Sequence, residues 1–459
     1  MGFTLHPRWS WIGLLRLSTA TVAALPISKI PRIAVIGGGA SGIFSAIQAA
    51  TSSSPGQVIV LEAGPSTLGK VKISGGGRCN VLHDTTKSLG DILGSYPRGN
   101  KELRGLYTKY FTPQQAREWF TKQGVQLKTE DDGRMFPTTD SSQTIIDVLL
   151  NAANQAGVEI WKQRKVLSIS KSDSSGKFRL QCKDDFLEEY DAVILATGSS
   201  QAGHELAKSL GHTIIDPVPS LFTFNTKNQV KEGGILFELS GVSVPLARVM
   251  LKVKAEGNDK KQTFSQEGPL LITHNGISGP ATLRLSAFAA REFHKLQYRG
   301  EVIIHWAPDL GSTTEITEKL IKYKLILPKR SVSTSCPLQI DSDRAIPRRL
   351  WSNLVAEAGI EKDTTWGEVP HRDLGKLSRM VSECTLTLTG KSVFKDEFVT
   401  AGGVALREIN MKTMESKICP GLFLCGEVID VDGVTGGFNF MNCWSTGFIA
   451  GNGAATFCK

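Results

Sequence analysis

No aspartate or glutamate precedes Glu62 in this chain of 459 residues. The first 30 positions carry Arg8, Arg16 and Lys29 among serines, threonines and apolar residues. That composition is typical of an organellar transit peptide, so residues 1–30 are read as a leader or a disordered tail. Arg16 interrupts the apolar stretch, which argues against a secretory signal. The stretch is also too short to cross a bilayer, and no later segment is long enough. No membrane partner is expected.

Cysteine patterning is equally sparse. The eight cysteines are scattered and no CxxC occurs, which excludes a dithiol redox pair of the thioredoxin kind. No Cys/His cluster has metal spacing, so no metal is expected. The formal charge of +9 includes three cations in the leader, and no dense basic run interleaves with aromatics. Nucleic acid is therefore not expected as a partner. With 41% hydrophobic and 21% charged residues the chain has the composition of an ordinary globular protein, long enough for two or three domains.

Glycine-rich turns are what the sequence does have. Arg32–Ile36 is an apolar strand running into Gly37-x-Gly39-x-x-Gly42, then an alanine-rich helix. A second apolar run, from Gln57, ends in Glu62, 20 residues past Gly42. This order suits a dinucleotide site. Gly37 permits the tight turn, Gly39 lets the main chain approach a pyrophosphate, and Gly42 lets the helix pack on the strand. The helix start presents free N–H groups to phosphate. Glu62 is placed to hold the hydroxyls of an adenosine ribose.

Further along, Thr112 and Pro113 open an expected helix to Gln123, and another runs over about 142–156. A meander follows: KVLSIS, KFRLQC, then a buried strand over Asp191–Gly198. After Asp216-Pro217-Val218-Pro219 the text changes. Strand-like pieces (Val242 to Val253, Glu301 to Trp306) give way to a polar helical stretch from about Thr313 to Met380. From Phe398 the glycine-rich apolar style resumes. The expected division is 31–215 for the first part of a cofactor domain, 216–395 for an insert and 396–459 for the second part.

Several glycine-rich elements must converge on one ligand. Gly75-Gly76-Gly77-Arg78-Cys79-Asn80 is a loop able to approach an extended cofactor. Leu422 to Glu427 is a strand ending in glycine and an acid that can accept from a ribityl hydroxyl. Thr435-Gly436-Gly437-Phe438-Asn439 opens an apolar helix whose N-terminus can stabilise a reduced flavin. A second glycine-rich helix start from the far end of the chain points to FAD rather than NAD alone.

These motifs, in order, resemble the YhiN-like family of FAD-binding oxidoreductases, also called aminoacetone-oxidase-like. The resemblance covers about Arg32 to Gly451. It rests on IGGGASG, KVKISGGGRCNV, GRMFP, ILATG, GPLLITHNGISGP, TAGGVALREINMKTMESK and GEVIDVDGVTGGFNF. It implies an α/β fold: a two-dinucleotide-binding-type, Rossmann-like FAD domain with a mixed sheet and an inserted β-barrel-like and helical domain. The wording DPVPSLF and KDEFVTAGG resembles plant and cyanobacterial members, so a chloroplast is expected, with the mitochondrion as the alternative. Two departures stand out. ATGSSQAGHELAKSLGH lacks the second glycine usual in bacterial members, and Cys443 replaces the usual alanine, although Trp444 fits.

The expected cofactor-binding residues are Gly37, Gly39, Ala40, Ser41, Gly42, Glu62, Ala63, Lys70, Gly76, Gly77, Arg78, Cys79, Asn80 and Val166. From the later chain come Thr197, Gly198, Gly426, Glu427, Asp432, Gly436, Gly437, Phe438 and Asn439. His274 is the candidate acid–base residue and Arg78 the candidate anion ligand; a strand-turn role and a salt bridge are their plainer readings. Cys79 is read as a packing residue more than a nucleophile, Cys419 and Cys425 as buried thiols, and Asp430 with Asp432 as flavin ligands or turn formers. Arg134 is expected near the site.

The expected function is an FAD-dependent oxidoreductase moving hydride between a small organic substrate and flavin. No second strand–GxGxxG–helix unit provides a dedicated NAD(P) domain. NAD(P)H as a transient co-substrate, or oxygen, is the other partner. The rival readings are a flavin-bearing redox sensor or scaffold, and an FAD protein that modifies RNA. Substrate identity and oligomeric state are left open.

Overall fold

Arg32–Ile36 forms strand β1, with Ile33, Ala34 and Val35 fully buried. Its aliphatic, mostly β-branched side chains suit a strand covered on both faces. Helix α1 follows over Ala40–Ala50 and β2 over Gln57–Leu61. β2 lies parallel to β1, with Ile33 opposite Val58. Three later segments extend the same sheet. β3 (Glu159–Trp161) joins β2, β4 (Ala192–Leu195) joins β1 on its other side, and β5 (Leu422–Leu424) joins β4. The spatial order is β5-β4-β1-β2-β3, every pair parallel. A short antiparallel hairpin, Ile409–Asn410 with Glu415–Ser416, finishes the β5 edge and makes the sheet mixed. This is the Rossmann-like α/β architecture expected from the motifs.

The molecule is described from a computed structural model, which covers residues 1–2, 30–52, 56–183, 187–254, 261–338, 345–391 and 399–459. Most of the expected leader, 3–29, lies outside the described residues. Residues 31–459 form one compact unit.

The last helix, α2 (Phe438–Phe457), lies against α1. Small residues make this approach possible. A Cβ on Gly451 would stand 2.3 Å from the Ser45 carbonyl oxygen, and one on Gly447 would stand 2.9 Å from that of Ser41. Both distances are too short for a methyl group. Chain segments some 400 positions apart thus share one apolar core.

Outside the sheet, the expected helices appear at Pro113–Lys122 and Ser142–Gln155. Thr112 caps the first: its hydroxyl accepts from Gln115 N at 3.1 Å, and the Gln115 side chain accepts from Thr112 N at 2.8 Å. The meander is three antiparallel strands, Val166–Lys171, Phe178–Cys182 and Leu187–Tyr190.

A second apolar core runs from Phe222 to Leu388. Its sheet is antiparallel and includes Ser243–Lys254, Lys261–Thr273, Gly276–Ser278, Gly300–His305 and Cys384–Leu388. Cys384–Leu388 forms one edge. Gly390–Lys391, almost the next residues in the chain, form the other edge by pairing with Phe224–Asn225. One continuous segment supplies both edges, so the sheet closes on itself as a barrel. Helices Thr313–Ile326, Arg348–Glu357 and His371–Ser382 complete this core around Leu350, Trp351, Trp366 and Leu377. The chain passes between the two cores through a paired ribbon, Ile214–Ser220 against Val399–Val404.

Candidate active site

The three glycines after β1 have different surroundings. Gly37 has φ +108, and a Cβ there would stand 2.5 Å from the Ala196 carbonyl oxygen. A Cβ on Gly42 would lie 1.9 Å from the Gly37 carbonyl oxygen. These two are glycine because the turn and the helix have no room. Gly39 has an ordinary φ of −80, and a Cβ there would meet nothing within 4 Å. Its side faces open space at the start of α1, with Ala40, Ser41 and Gly42 forming the first helical turn. This is the cradle a pyrophosphate requires.

Glu62 stands at the end of β2. Its two carboxylate oxygens accept from Gly38 N at 2.7 Å and Gly64 N at 2.6 Å, fixing it beside the phosphate turn. Each oxygen keeps a further lone pair for a ribose hydroxyl. Ala63 is exposed next to it. The chain leading to Val166 runs alongside, with Arg164 N donating to Glu62 O at 2.8 Å. Val166 itself is buried at the start of the meander.

The C-terminal elements meet the N-terminal ones here. Lys70 Nζ lies 2.7 Å from Glu427 Oε2. Gly426 has φ +75, and a Cβ there would stand 2.3 Å from the Ser41 hydroxyl. Thr197 and Gly198 follow β4, and the Thr197 hydroxyl is buried without a hydrogen-bond partner among the described residues. The Asn80 amide bridges the two ends: its nitrogen donates to Leu82 O at 2.9 Å and its oxygen accepts from Gly437 N at 3.0 Å. Gly76 and Gly77, both at positive φ, have open space where a Cβ would be.

Other expected ligands are placed differently. The Arg78 guanidinium pairs with Glu130 at 2.6 Å and Asp140 at 3.5 Å and lies over the Phe136 ring, so its charge is already matched. Arg134 joins the same acidic cluster through Glu130 and Asp132. Cys79 is fully buried, and burial pushes its thiol up to about 12; it is a packing residue with φ +61. The Asp432 carboxylate is also withdrawn from any flavin. It is 1% exposed and is held by Arg98 and by the Ser220 hydroxyl at 3.1 Å. The Asn439 side chain closes the preceding turn, bonding Gly433 N at 2.8 Å and Gly433 O at 2.9 Å. Cys425 and Cys443 are buried thiols, both pushed up by burial.

A cleft of about 540 Å³ opens beside the start of α2. Val434, Phe438 and His83 line it from the Rossmann side, with Lys87 and Asp91 nearby; Gln266, Arg284 and Phe288 line it from the barrel side. His83 is held rigidly. Its ring stacks on Phe438 at 4.4 Å, and Nδ1 donates to Gly436 O at 2.9 Å. A carbonyl only accepts, so Nδ1 carries the proton and Nε2 keeps its lone pair. Burial lowers the pKa of His83, so it is neutral near pH 7. His274 does not join this cleft. It is exposed on the turn between Lys261–Thr273 and Gly276–Ser278, next to the Asn275 amide at 3.0 Å. Sequence reading missed His83 and Arg284. His83 lies three residues past Asn80 of the glycine-rich motif, and Arg284 lies just beyond THNGISGP; neither has a spacing signature of its own.

The residues present fit an FAD. Gly39 leaves room for phosphate, Glu62 is held as a ribose acceptor, and Lys70 with Glu427 stands between the two glycine-rich helix starts. Gly436 and Phe438 lie where that path reaches the cleft.

The chain is similar to several known proteins. The HI0933-like protein Rossmann domain matches residues 31–453. A 3-dehydro-bile acid delta(4,6)-reductase of Clostridium scindens is 28% identical over 437 residues, covering 92% of this chain and 99% of that protein. A ribosomal RNA dihydrouridine synthase of Haemophilus influenzae is 27% identical over 430 residues, covering 90% of this chain and 96% of that protein. Among solved structures, a 3-ketosteroid-delta4-(5alpha)-dehydrogenase from Rhodococcus jostii is 14% identical, covers 94% of this chain and 99% of that one, and has a TM-score of 0.45.

Proposed function

The chain belongs to the HI0933-like family of FAD-dependent oxidoreductases, and from that membership we propose that it reduces a carbon–carbon double bond conjugated to a carbonyl. Two relatives support this bond type. By name, one reduces ring double bonds of a 3-oxo bile acid and the other reduces uridine to dihydrouridine. In both substrates the double bond is conjugated to a carbonyl. The observation that carries the reading is the cleft walled by both cores, which meets the FAD path at His83 and Phe438.

Held by these residues, FAD would supply the hydride chemistry; with NAD(P)H as the electron source, reduction of the alkene adds a hydride at the carbon β to the carbonyl and a proton, drawn from solvent, at the α carbon. The chain's own residues hold and orient. Gly39 and Glu62 fix the nucleotide end, and the N-terminus of α2 favours negative charge beside it. Phe438 and Phe288 give the cleft apolar walls. Neutral His83 offers an acceptor at Nε2, not a proton.

A second reading, uridine within RNA as the substrate, is favoured by the dihydrouridine synthase relative. The acid-free leader favours a plastid as the location, with the mitochondrion as the alternative. The test is anaerobic: the yellow holoprotein is bleached with NADPH or NADH, then mixed with conjugated enones, uridine or a uridine-containing RNA. Recovery of flavin absorbance with an alkene is the expected result. Bleaching by neither nicotinamide, or recovery with no alkene, overturns the reading.

A further inference from the structure

The cations around the cleft fall into two groups. Arg78, Arg98, Arg134 and Lys70 are each paired with a carboxylate. Arg284 and Lys87, which both line the cleft, are not: neither side chain makes a hydrogen bond or ion pair with a described residue. Arg284 is half-buried on the helix Pro280–Phe288, and burial disfavours its charge. A buried cation without a partner is costly, so such a group calls for an anion.

Asp132 bears electrostatically on Arg284, and Asp84 on Lys87, but neither acid forms an ion pair with its cation among the described residues. Asp132 is engaged by Arg134, Asp84 accepts from Thr86, and Asp91 accepts from Ser88. Lys87 Nζ and His83 Nε2 both come within 3.0 Å of where a Cβ on Gly133 would stand, so Lys87 adjoins the cleft wall at His83. The Gln266 side chain adds an uncommitted amide on the barrel side.

We propose that the substrate carries an oxyanion, carboxylate or phosphate, bound between Arg284 and Lys87. The inference rests on the reductase reading above and narrows its substrate class. The guanidinium can take the oxyanion with two N–H donors, and the ammonium closes the outer side as a point charge. This arrangement places the double bond toward His83 and Phe438. It selects charged alkenes over neutral ones, which gain nothing from an unpaired Arg284.

The test uses reduced holoenzyme and matched pairs: β-acetylacrylate with its methyl ester, and uridine monophosphate with uridine. Reoxidation is expected to favour the charged member of at least one pair by about tenfold or more, the scale of a charge-assisted hydrogen bond. The pair that shows the preference distinguishes carboxylate from phosphate. Arg284→Gln should erase the preference through KM, and Lys87→Gln, at an exposed position, should weaken it and reduce its salt dependence. Equal use of both members, or an unchanged preference in Arg284→Gln, overturns the proposal while leaving the reductase reading intact. A second measurement needs no turnover: titration of oxidised holoprotein with inorganic phosphate and with β-acetylacrylate, followed by the visible spectrum and calorimetry. Binding lost in Arg284→Gln supports the site even if no alkene is reduced. Absence of binding of both anions to the unmodified holoprotein counts against it.

Discussion

Lys70 Nζ and Glu427 Oε2 lie 2.7 Å apart although 357 positions separate them in sequence. Lys70 stands in the first turn of the short helix Gly69–Gly77 that follows the loop after Glu62, and Glu427 follows β5. Their meeting joins the two glycine-rich ends of the chain. A partly exposed pair of this kind contributes roughly 0–1 kcal/mol to folding. Its larger effect is to hold the Glu427 carboxylate where a cofactor hydroxyl can donate to it. Glu427→Gln is expected to weaken FAD binding by roughly tenfold, the scale of one charge-assisted hydrogen bond. Titration of apoprotein with FAD checks this; a lowered melting temperature with unchanged FAD affinity would make the pair purely structural.

Gly39 and Gly42 should fail differently. Gly39→Val keeps an allowed backbone conformation and places its side chain in open space. The variant should fold but lose FAD, because the side chain occupies the phosphate cradle. Gly42→Val would drive a Cβ to 1.9 Å from a carbonyl oxygen and should fail to fold. Circular dichroism and flavin content, read together, separate the two. A yellow Gly39→Val protein would move the phosphates elsewhere.

Arg98 and Asp432 form a buried ion pair that also ties in the helix Pro280–Phe288 and the connecting ribbon, since Arg98 donates to Ala287 O at 2.9 Å and Ser220 donates to Asp432. Removing one partner leaves a buried charge. Asp432→Asn should cost about 3–5 kcal/mol of stability. Denaturant unfolding measures it, and a loss below about 1 kcal/mol would show that water reaches Arg98.

Acid should destabilise the protein through its histidines. His83, His204, His212 and His305 are all buried, and burial lowers the pKa of each. The unfolded chain therefore binds more protons than the folded one below about pH 6.5. Stability is present above that value and is lost as pH falls toward the folded-state values. The melting temperature should drop between neutral pH and about pH 5. His305→Gln should flatten part of that slope; a melting temperature that is flat or rises on acidification contradicts the assignment.

Much of the cofactor half was legible in the residues. Gly37 and Gly42 are glycine for reasons a turn and a helix–strand contact impose locally. The helix at Pro113 was readable because Thr112 and Pro113 encode its start in adjacent positions. The barrel could be named from resemblance, but its closure by Cys384–Lys391 depends on pairings that no local pattern displays. Arg78 and Asp432 misled for one reason. A charged residue in a glycine-rich motif suits a ligand equally well whether or not a distant partner has claimed it. Glu130 and Arg98 had claimed these two.

The sequence alone determined the strand–glycine–helix unit, the acid at its second strand and the need for a second glycine-rich element, because these follow from steric and hydrogen-bonding rules acting over a few residues. Only the tertiary structure decided which polar groups are spent and which are free. It withdrew Asp432, set His274 on an exposed turn, and brought His83, Lys87 and Arg284 to one cleft from separate elements. Charge neutralisation and burial depend on neighbours in space, and those neighbours are set by how the two cores pack.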